Sequence, residues 1–145
     1  RISKGEGQEG DIEFLEELSL AIKDASMCGL GTTLPNPVLS TIKYFKDEYE
    51  AHINRGVCPA GVCTALIEYQ IDPEKCVGCL LCKKNCPVGA VWGELKKAHG
   101  IDQDACVKCG VCLSVCPAKV GAVRRVTGKE KDEVLARAKA GGAER

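Results

Sequence analysis

The chain has 145 residues and a formal net charge of zero at pH 7, because 20 basic side chains balance 20 acidic ones. Aromatic residues make up only 4% of the chain, and no basic stripe interleaved with them could follow a phosphate backbone, which argues against a nucleic-acid partner. No apolar run approaches the roughly 18 residues that a membrane span needs, and no signal peptide is recognisable. The 11 cysteines are an odd number in C-x-x-C spacings, so we expect metal binding in a reducing compartment, the cytoplasm, rather than disulfides.

The first third of the chain predicts two amphipathic helices. The first follows Asp11, a plausible N-cap, and ends before Gly29. The second has Asn36 as its cap and Pro37 at its first position. Their apolar faces, at helical spacing, are Ile12, Leu15, Leu18 and Ile22 in the first and Val38, Ile42, Phe45, Tyr49 and Ile53 in the second. We assign residues 1–55 to this helical segment, with Cys28 in the loop between the helices.

Two copies of C-x2-C-x2-C-x3-C-P follow, and every cysteine of the first copy recurs thirty positions later in the second. This spacing is typical of bacterial two-cluster ferredoxins, in which three thiolates hold one [4Fe–4S] cluster and the fourth crosses to the other cluster. The predicted first set of ligands is Cys76, Cys79, Cys82 and Cys116. The predicted second set is Cys106, Cys109, Cys112 and Cys86.

Two other metal chemistries fit the repeat less well. A tetrahedral zinc site has no use for the third cysteine or for a duplicated Cys-Pro. Radical iron–sulfur enzymes use C-x3-C-x2-C, a spacing that is absent from this chain.

The predicted fold class is α+β, with the helical segment followed by a two-[4Fe–4S] ferredoxin-like domain at 67–126. We expect short strands at Ile67 to Ile71, Ala90 to Leu95, His99 to Asp102 and Ala122 to Val126, and brief helices through Lys83 and Leu113. Apolar side chains are expected to pack around the clusters: Val77, Leu80, Leu81, Val88, Val107, Val111, Leu113, Val115 and Val120. Residues 56–66 form a cysteine-containing hinge loop, and 127–145 a short helix and tail.

The segment around Cys28 reads Ser26-Met-Cys-Gly-Leu-Gly-Thr-Thr-Leu-Pro-Asn-Pro37. It resembles the C-terminal region of the flavin- and NADH-binding subunit of electron-bifurcating [FeFe]-hydrogenases, a relative of the NADH-oxidising subunit of respiratory complex I. The resemblance implies that Cys28 is the fourth ligand of a third [4Fe–4S] cluster. The three partner cysteines would lie before Arg1, so the chain would hold only part of that cluster.

The same resemblance implies that FMN and NAD(H) bind upstream, since this chain lacks a glycine-rich nucleotide loop. The start at Arg1 rather than Met suggests that the chain was divided from a longer polypeptide.

Cys58 and Cys63 belong to neither ferredoxin set. With His52, and with His99 as the only other histidine, they predict a tetrahedral structural zinc site in the hinge loop. The alternative is a pair of unmodified structural thiols beside a surface histidine. His99 could instead pack beside a cluster and donate a hydrogen bond to a sulfur.

The predicted function is electron transfer through [4Fe–4S] clusters. The resemblance implies a relay between a flavin/NAD(H) site and partner iron–sulfur subunits of a bifurcating hydrogenase or related NAD-linked oxidoreductase. We expect no catalytic residues in this chain, because it offers no paired nucleophile and base. Two alternatives are a free-standing ferredoxin with a helical extension and a non-redox interaction domain braced by metals.

Overall fold

The computed structural model describes residues 1–128 and divides the chain between Pro59 and Ala60 into two compact units. Unit 1 is helical, and unit 2 combines short helices with antiparallel strands. The predicted α+β class is therefore confirmed. Of the short helix and tail predicted at 127–145, Thr127 belongs to a strand, and residues 129–145 lie outside the described residues.

Unit 1 consists of a 3₁₀ turn, Ile2–Lys4, and three helices: α1, Asp11–Ala25; α2, Gly29–Thr33; and α3, Asn36–Arg55. Helix α1 packs against both α2 and α3, and the 3₁₀ turn packs against α3. The buried apolar side chains are Ile12, Ile42 and Ala51. The core of this unit therefore lies between α1 and α3.

Both predicted helix starts are displaced by one residue. Gly10, not Asp11, is the N-cap of α1. The Asp11 carboxylate accepts the backbone N–H of Gln8 at 2.8 Å and pairs with Arg1, and these contacts hold the pKa of Asp11 below its ordinary value. Helix α3 begins at Asn36 itself, with Pro35 as its N-cap.

The predicted apolar faces of these helices are only partly buried. Leu18 of α1 and Phe45 of α3 are exposed. Phe45 also has non-helical backbone angles, φ −133° and ψ 33°, which kink α3. The kink breaks the helical spacing on which the predicted face of α3 rested.

Unit 2 contains two small antiparallel sheets and two short helices. Strand β1, Ile67–Ile71, pairs with β4, Val123–Thr127, and strand β2, Val91–Trp92, pairs with β3, Gly100–Ile101. Helix α4, Leu81–Asn85, contacts helix α5, Val111–Val115. Strand β2 is shorter than predicted and ends before Gly93, which leaves the extended conformation at φ +140°.

The core of unit 2 comes mainly from the strands and from two of the cysteines. Its buried members are Ile67, Tyr69, Ile71, Cys82, Val91, Cys112, Ala122 and Val123. Several of the valines and leucines predicted to surround the clusters are also exposed to solvent over part of their surface: Val77, Leu81, Val88, Val107 and Leu113. They lie in the cysteine loops and short helices, whose outer sides face solvent.

Candidate metal centre

The loop before each run of cysteines is held by the same contacts in both halves of the repeat. In the first half the N–H of Asp72 donates to the Ala122 carbonyl at 2.8 Å, and the Asp72 carboxylate accepts the N–H of Glu74 at 3.1 Å. In the second half Asp102 donates to the Ala90 carbonyl at 2.8 Å and accepts from Asp104 at 3.0 Å. Each aspartate thus closes an Asx turn that leads the chain into its first cysteine.

Sequence reasoning missed this role of the two aspartates. The available signal was the Ile-Asp pair that recurs thirty residues apart, as Ile71-Asp72 and Ile101-Asp102. In the first half an ion pair adds to the turn, because Arg124 approaches the buried Asp72 carboxylate at 2.8 Å.

The loops between the cysteines turn through left-handed backbone positions. Gly78 has φ +68° and Leu80 has φ +63°; thirty residues later Lys108 has φ +57° and Gly110 has φ +79°. Each half therefore has one glycine and one larger residue at equivalent left-handed positions. Successive turns of this kind direct backbone N–H groups into a concave surface that favours anionic groups such as thiolates.

The cysteines predicted as one set line one cavity. The first cavity is lined by Cys76, Cys79, Cys82 and Cys116, together with Ile71, Val77, Leu81, His99, Val120, Ala122 and Val123. The second is lined by Cys86, Cys106, Cys109 and Cys112, with Pro87, Val88, Ala90, Val91, Ile101, Val107, Gly110 and Val111. In each cavity three cysteines come from one run and the fourth from the other.

Burial and neighbouring sulfurs raise the pKa of the third cysteine in each run, Cys82 and Cys112. Burial is the largest cause for Cys82, and the nearby Cys76 and Cys79 add to it. For Cys112 burial, with Cys106, Cys109 and Cys82 close by, raises the pKa to about 11. Clustered thiols of this kind are held as thiolates when a metal cation supplies the opposing charge.

The pKa of Cys86 is shifted in the opposite direction, below its ordinary value. Burial alone would raise its pKa, but backbone N–H groups outweigh that effect and lower it. The donors are those of Val88, Ala90, Val91 and Gly89. N–H donors around a sulfur stabilise the thiolate, so the donor set and its surroundings fit an iron–sulfur cluster in these cavities.

His99 lies against the first cavity. It is 4% exposed, its backbone N–H donates to the Cys76 sulfur at 3.4 Å, and its Nδ1 lies 3.6 Å from the same sulfur. Burial, followed by the charge of Lys83, lowers the pKa of His99 and favours the neutral ring. The structure thus brings His99 to Cys76.

The remaining zinc candidates lie together at the end of α3 and in the loop that follows it. The ligand atoms of His52, Cys58 and Cys63 all lie within 4.8 Å of one another. The Nδ1 of His52 is 2.7 Å from the Glu48 carbonyl oxygen. A carbonyl can only accept, so Nδ1 carries the proton and, in the neutral ring, Nε2 carries the lone pair that a metal would use.

Cys28 is exposed and precedes α2 as its N-cap. In the described part of the chain, no group of three potential metal ligands includes it. Its thiol is therefore placed where residues supplied by another segment could reach it.

Comparison with known families bears on both units. Residues 1–52 match the family described as the NADH-ubiquinone oxidoreductase-F iron–sulfur binding region. Residues 68–124 match the family described as the 4Fe–4S dicluster domain. The chain joins an F-type iron–sulfur region to a 4Fe–4S dicluster domain. The resemblance inferred from the residues around Cys28 is confirmed, and the F-type region and the dicluster domain together form an iron–sulfur electron-transfer region.

Individual relatives match the same parts. The NADP-reducing hydrogenase subunit HndC of Solidesulfovibrio fructosivorans is 54% identical over 99 residues, which are 68% of this chain and 20% of the relative. The F subunit of the NADH-quinone oxidoreductase of Mycobacterium tuberculosis strain H37Rv is 44% identical over 59 residues, 41% of this chain and 13% of the relative. The NADH-ubiquinone oxidoreductase 51 kDa subunit of Neurospora crassa is 34% identical over 55 residues, 38% of this chain and 11% of the relative.

The chain thus spans a fifth or less of the length of these relatives. All three names describe subunits of oxidoreductases. Among residues 1–128, no helix combines the length and the apolar character needed to cross a lipid bilayer.

Proposed function

We propose that the dicluster domain holds two [4Fe–4S] clusters and relays single electrons between them. The first cluster is held by Cys76, Cys79, Cys82 and Cys116, and the second by Cys106, Cys109, Cys112 and Cys86. The observation that carries the proposal is that these two sets of four sulfurs line two separate cavities. When bound, the clusters supply reversible one-electron chemistry, and the chain's own residues anchor them and limit their exposure to water.

Anaerobic spectroscopy tests this proposal on the purified chain. We expect about eight iron atoms per chain, since each cluster contains four. Brown absorbance should bleach with dithionite, and the reduced protein should give the electron paramagnetic resonance signal of two interacting clusters. A colourless preparation that contains only zinc would support the non-redox interaction domain instead.

We further propose that the relay serves a larger NAD-linked oxidoreductase, either a bifurcating hydrogenase or a related complex, in the cytoplasm. Electrons would pass between a flavin/NAD(H) site on the same polypeptide and iron–sulfur subunits bound as partners. The similarity of unit 1 to the F-type iron–sulfur region, and of the chain to a hydrogenase subunit, supports this assignment. The test is to purify the native polypeptide that contains this sequence: bound flavin is expected, and a flavin-free protein the size of this chain would favour a free-standing ferredoxin.

Cys28 is proposed as one ligand of a third cluster, completed by cysteines outside this chain. Its exposure and its place within the F-type match support this role. In the native polypeptide, Cys28→Ala should remove the signal of one cluster and leave the two clusters of the dicluster domain unchanged. Retention of every cluster signal would contradict the assignment.

The group formed by His52, Cys58 and Cys63 is proposed to hold a structural zinc ion. Three potential ligand atoms within 4.8 Å of one another suit a tetrahedral site, with the fourth ligand supplied by water or by another residue. We expect about one zinc per chain, and Cys58→Ser should remove most of it. Cys28→Ser is the matched control that should keep the zinc, and equal zinc contents in the two variants would leave Cys58 and Cys63 as plain thiols.

A further inference from the structure

The two halves of the dicluster domain place different side chains at equivalent positions. His99 stands two residues before Ile101, and Tyr69 stands two residues before Ile71, thirty positions earlier in the repeat. The two isoleucines lie in β3 and β1, the strands that lead into the cysteine runs. Tyr69 and His99 are thus counterparts, and a difference between them is a difference between the two cavities.

Each of these side chains reaches the cysteine loop of the opposite half. His99 lies beside Cys76, in the first loop. The hydroxyl of Tyr69 lies beside Gly110, in the second loop, only 2.8 Å from where a Cβ on that glycine would stand. Among the described residues, Tyr69 makes no hydrogen bond to a sulfur that matches the His99 contact. The first loop thus receives a side-chain donor from His99 that Tyr69 does not supply to the second loop, where the backbone N–H of Lys108 donates to Cys106 at 3.4 Å.

The tautomer of His99 follows from its two ring nitrogens. Nδ1 faces the Cys76 sulfur at 3.6 Å, whereas Nε2 is buried without a hydrogen-bond partner in the described part of the chain. A proton on Nε2 would leave a buried donor unsatisfied and turn the Nδ1 lone pair toward a sulfur that is anionic when it binds metal. A proton on Nδ1 avoids both costs, so the ring donates to Cys76.

The backbone of Gly93 holds the His99 ring in place. Gly93 adopts φ +140°, and a Cβ there would lie 2.5 Å from Cδ2 of the ring and 2.7 Å from Cγ. The side chain of Lys83 donates to the Gly93 carbonyl at 2.9 Å and ties this segment to α4. The Nδ1 donor is therefore positioned before a cluster binds.

We propose that His99 is a positioning residue that acts through Cys76: its ring N–H and its backbone N–H both donate to that sulfur and raise the reduction potential of the first cluster. An N–H···S hydrogen bond stabilises the more negative, reduced form, and hydrogen bonds to the sulfurs are among the determinants of cluster potential. The inference rests on the proposed function, since it presumes a cluster on the first set. The ring donor of His99 acts on the first cluster alone, whereas the sulfurs of the second set receive backbone donors, from Lys108 to Cys106 at 3.4 Å and from the residues around Cys86.

A redox titration followed by electron paramagnetic resonance tests the inference on cluster-loaded protein. In His99→Phe the ring N–H is lost while the backbone N–H remains. At a fixed solution potential, the ratio of reduced to oxidised first cluster should fall about two- to tenfold, the range expected for one net hydrogen bond; a tenfold change corresponds to 59 mV for a one-electron couple.

Two further variants separate hydrogen bonding from packing. His99→Asn carries an amide N–H near the position of Nδ1 and should recover most of the shift. Tyr69→Phe alters the equivalent residue of the other half and should leave the potential of the first cluster unchanged. An unchanged potential in His99→Phe, or an equal shift in the Phe and Asn variants, would overturn the role of the ring donor.

Isotopic labelling of the histidine nitrogens shows which cluster His99 contacts. The chain has two histidines, so in protein grown with ¹⁵N-histidine, pulsed electron paramagnetic resonance should detect a hyperfine coupling to one reduced cluster. The coupling should persist in His52→Gln and vanish in His99→Phe. Intact clusters without a His99-dependent coupling would overturn this inference alone, whereas a chain that binds no cluster would overturn the proposed function as well.

Discussion

Gly78 lies between the first two cysteines of the first run, at φ +68°. A Cβ at this position would lie 2.5 Å from the backbone nitrogen of Lys97 and 2.6 Å from that of Lys96. The loop can therefore pass this close to the neighbouring backbone only because the residue is glycine.

We expect Gly78→Ala to destabilise unit 2 more than Gly89→Ala does. Gly89 has nearly the same φ, +67°, but no atom lies within 4 Å of a Cβ built on it. The control should therefore cost only the left-handed strain of about 1–2 kcal/mol, and Gly78→Ala about 1–3 kcal/mol more through the clash. Anaerobic denaturant unfolding measures both, and equal losses would contradict the close approach at Gly78.

The cysteines of the metal-free chain should differ in reactivity, because their pKa values are shifted in opposite directions. Cys86 has a lowered pKa and Cys112 a pKa raised to about 11, and the thiolate is the reactive form. At about pH 8 iodoacetamide should modify Cys86 before Cys112. Mass spectrometry across pH should show the rate at Cys112 still rising toward pH 11, after that at Cys86 has levelled off; the same pH profile at both sites would contradict the assigned environments.

The raised pKa of Cys112 also makes the stability of the folded metal-free chain depend on pH. An ordinary thiol loses its proton near pH 9, whereas Cys112 in the folded metal-free chain retains its proton at that pH. The contribution of Cys112 to the free energy of unfolding is therefore complete below about pH 9. That contribution is lost as the pH rises toward 11.

At the scale of single elements, α3 provides a fully buried apolar side chain to unit 1. Ile42 is 1% exposed, whereas Leu20 on α1 is 53% exposed. Ile42→Ala should lower the free energy of unfolding by about 2–5 kcal/mol, because it leaves a cavity between the helices. Leu20→Ala is the control and should stay within about 0.5 kcal/mol. Loss of helical circular dichroism with denaturant compares them, and similar midpoints would contradict the burial of Ile42.

The elements differ in how much of them the sequence could predict. The sequence predicts strand β1 with its observed bounds, Ile67–Ile71, because apolar and polar residues alternate along it. The strand predicted for β2 is too long, because the backbone angle of Gly93 depends on how the loop packs. The observed start of α1 differs by one residue because the Asp11 carboxylate accepts the N–H of Gln8, in the segment before the helix, and not an N–H of the first helical turn.

The parts of the candidate site also differ in how far the sequence could predict them. The grouping of the cysteines followed from local spacing, which sets how three sulfurs can converge. The position of His99 did not follow from local spacing. It depends on a tertiary arrangement, in which β3 returns toward the loop of the other half. Matching His99 with Tyr69 across the repeat would have indicated it. The zinc interpretation grouped His99 by residue type alone.

At the scale of the whole dicluster domain, the two sets of cysteines cross between the halves of the repeat. Cys116→Ala should therefore disturb the first cluster, although the mutation lies in the second run. Cys86→Ala should disturb the second cluster in the same way. Each variant should retain about four of about eight iron atoms, and the ¹⁵N coupling to His99 should vanish in Cys116→Ala but persist in Cys86→Ala. The reverse pattern would show that each run holds its own fourth ligand.

The crossing of the fourth cysteines between the halves also predicts how oxygen damages the clusters. Oxidation of Cys116, in the second run, removes a ligand from the first set. Oxidation of Cys86, in the first run, removes one from the second set. We therefore expect damage to the fourth cysteine of either run to cost the cluster that the other run mainly holds, and rebuilding either cluster to require sulfurs from both runs.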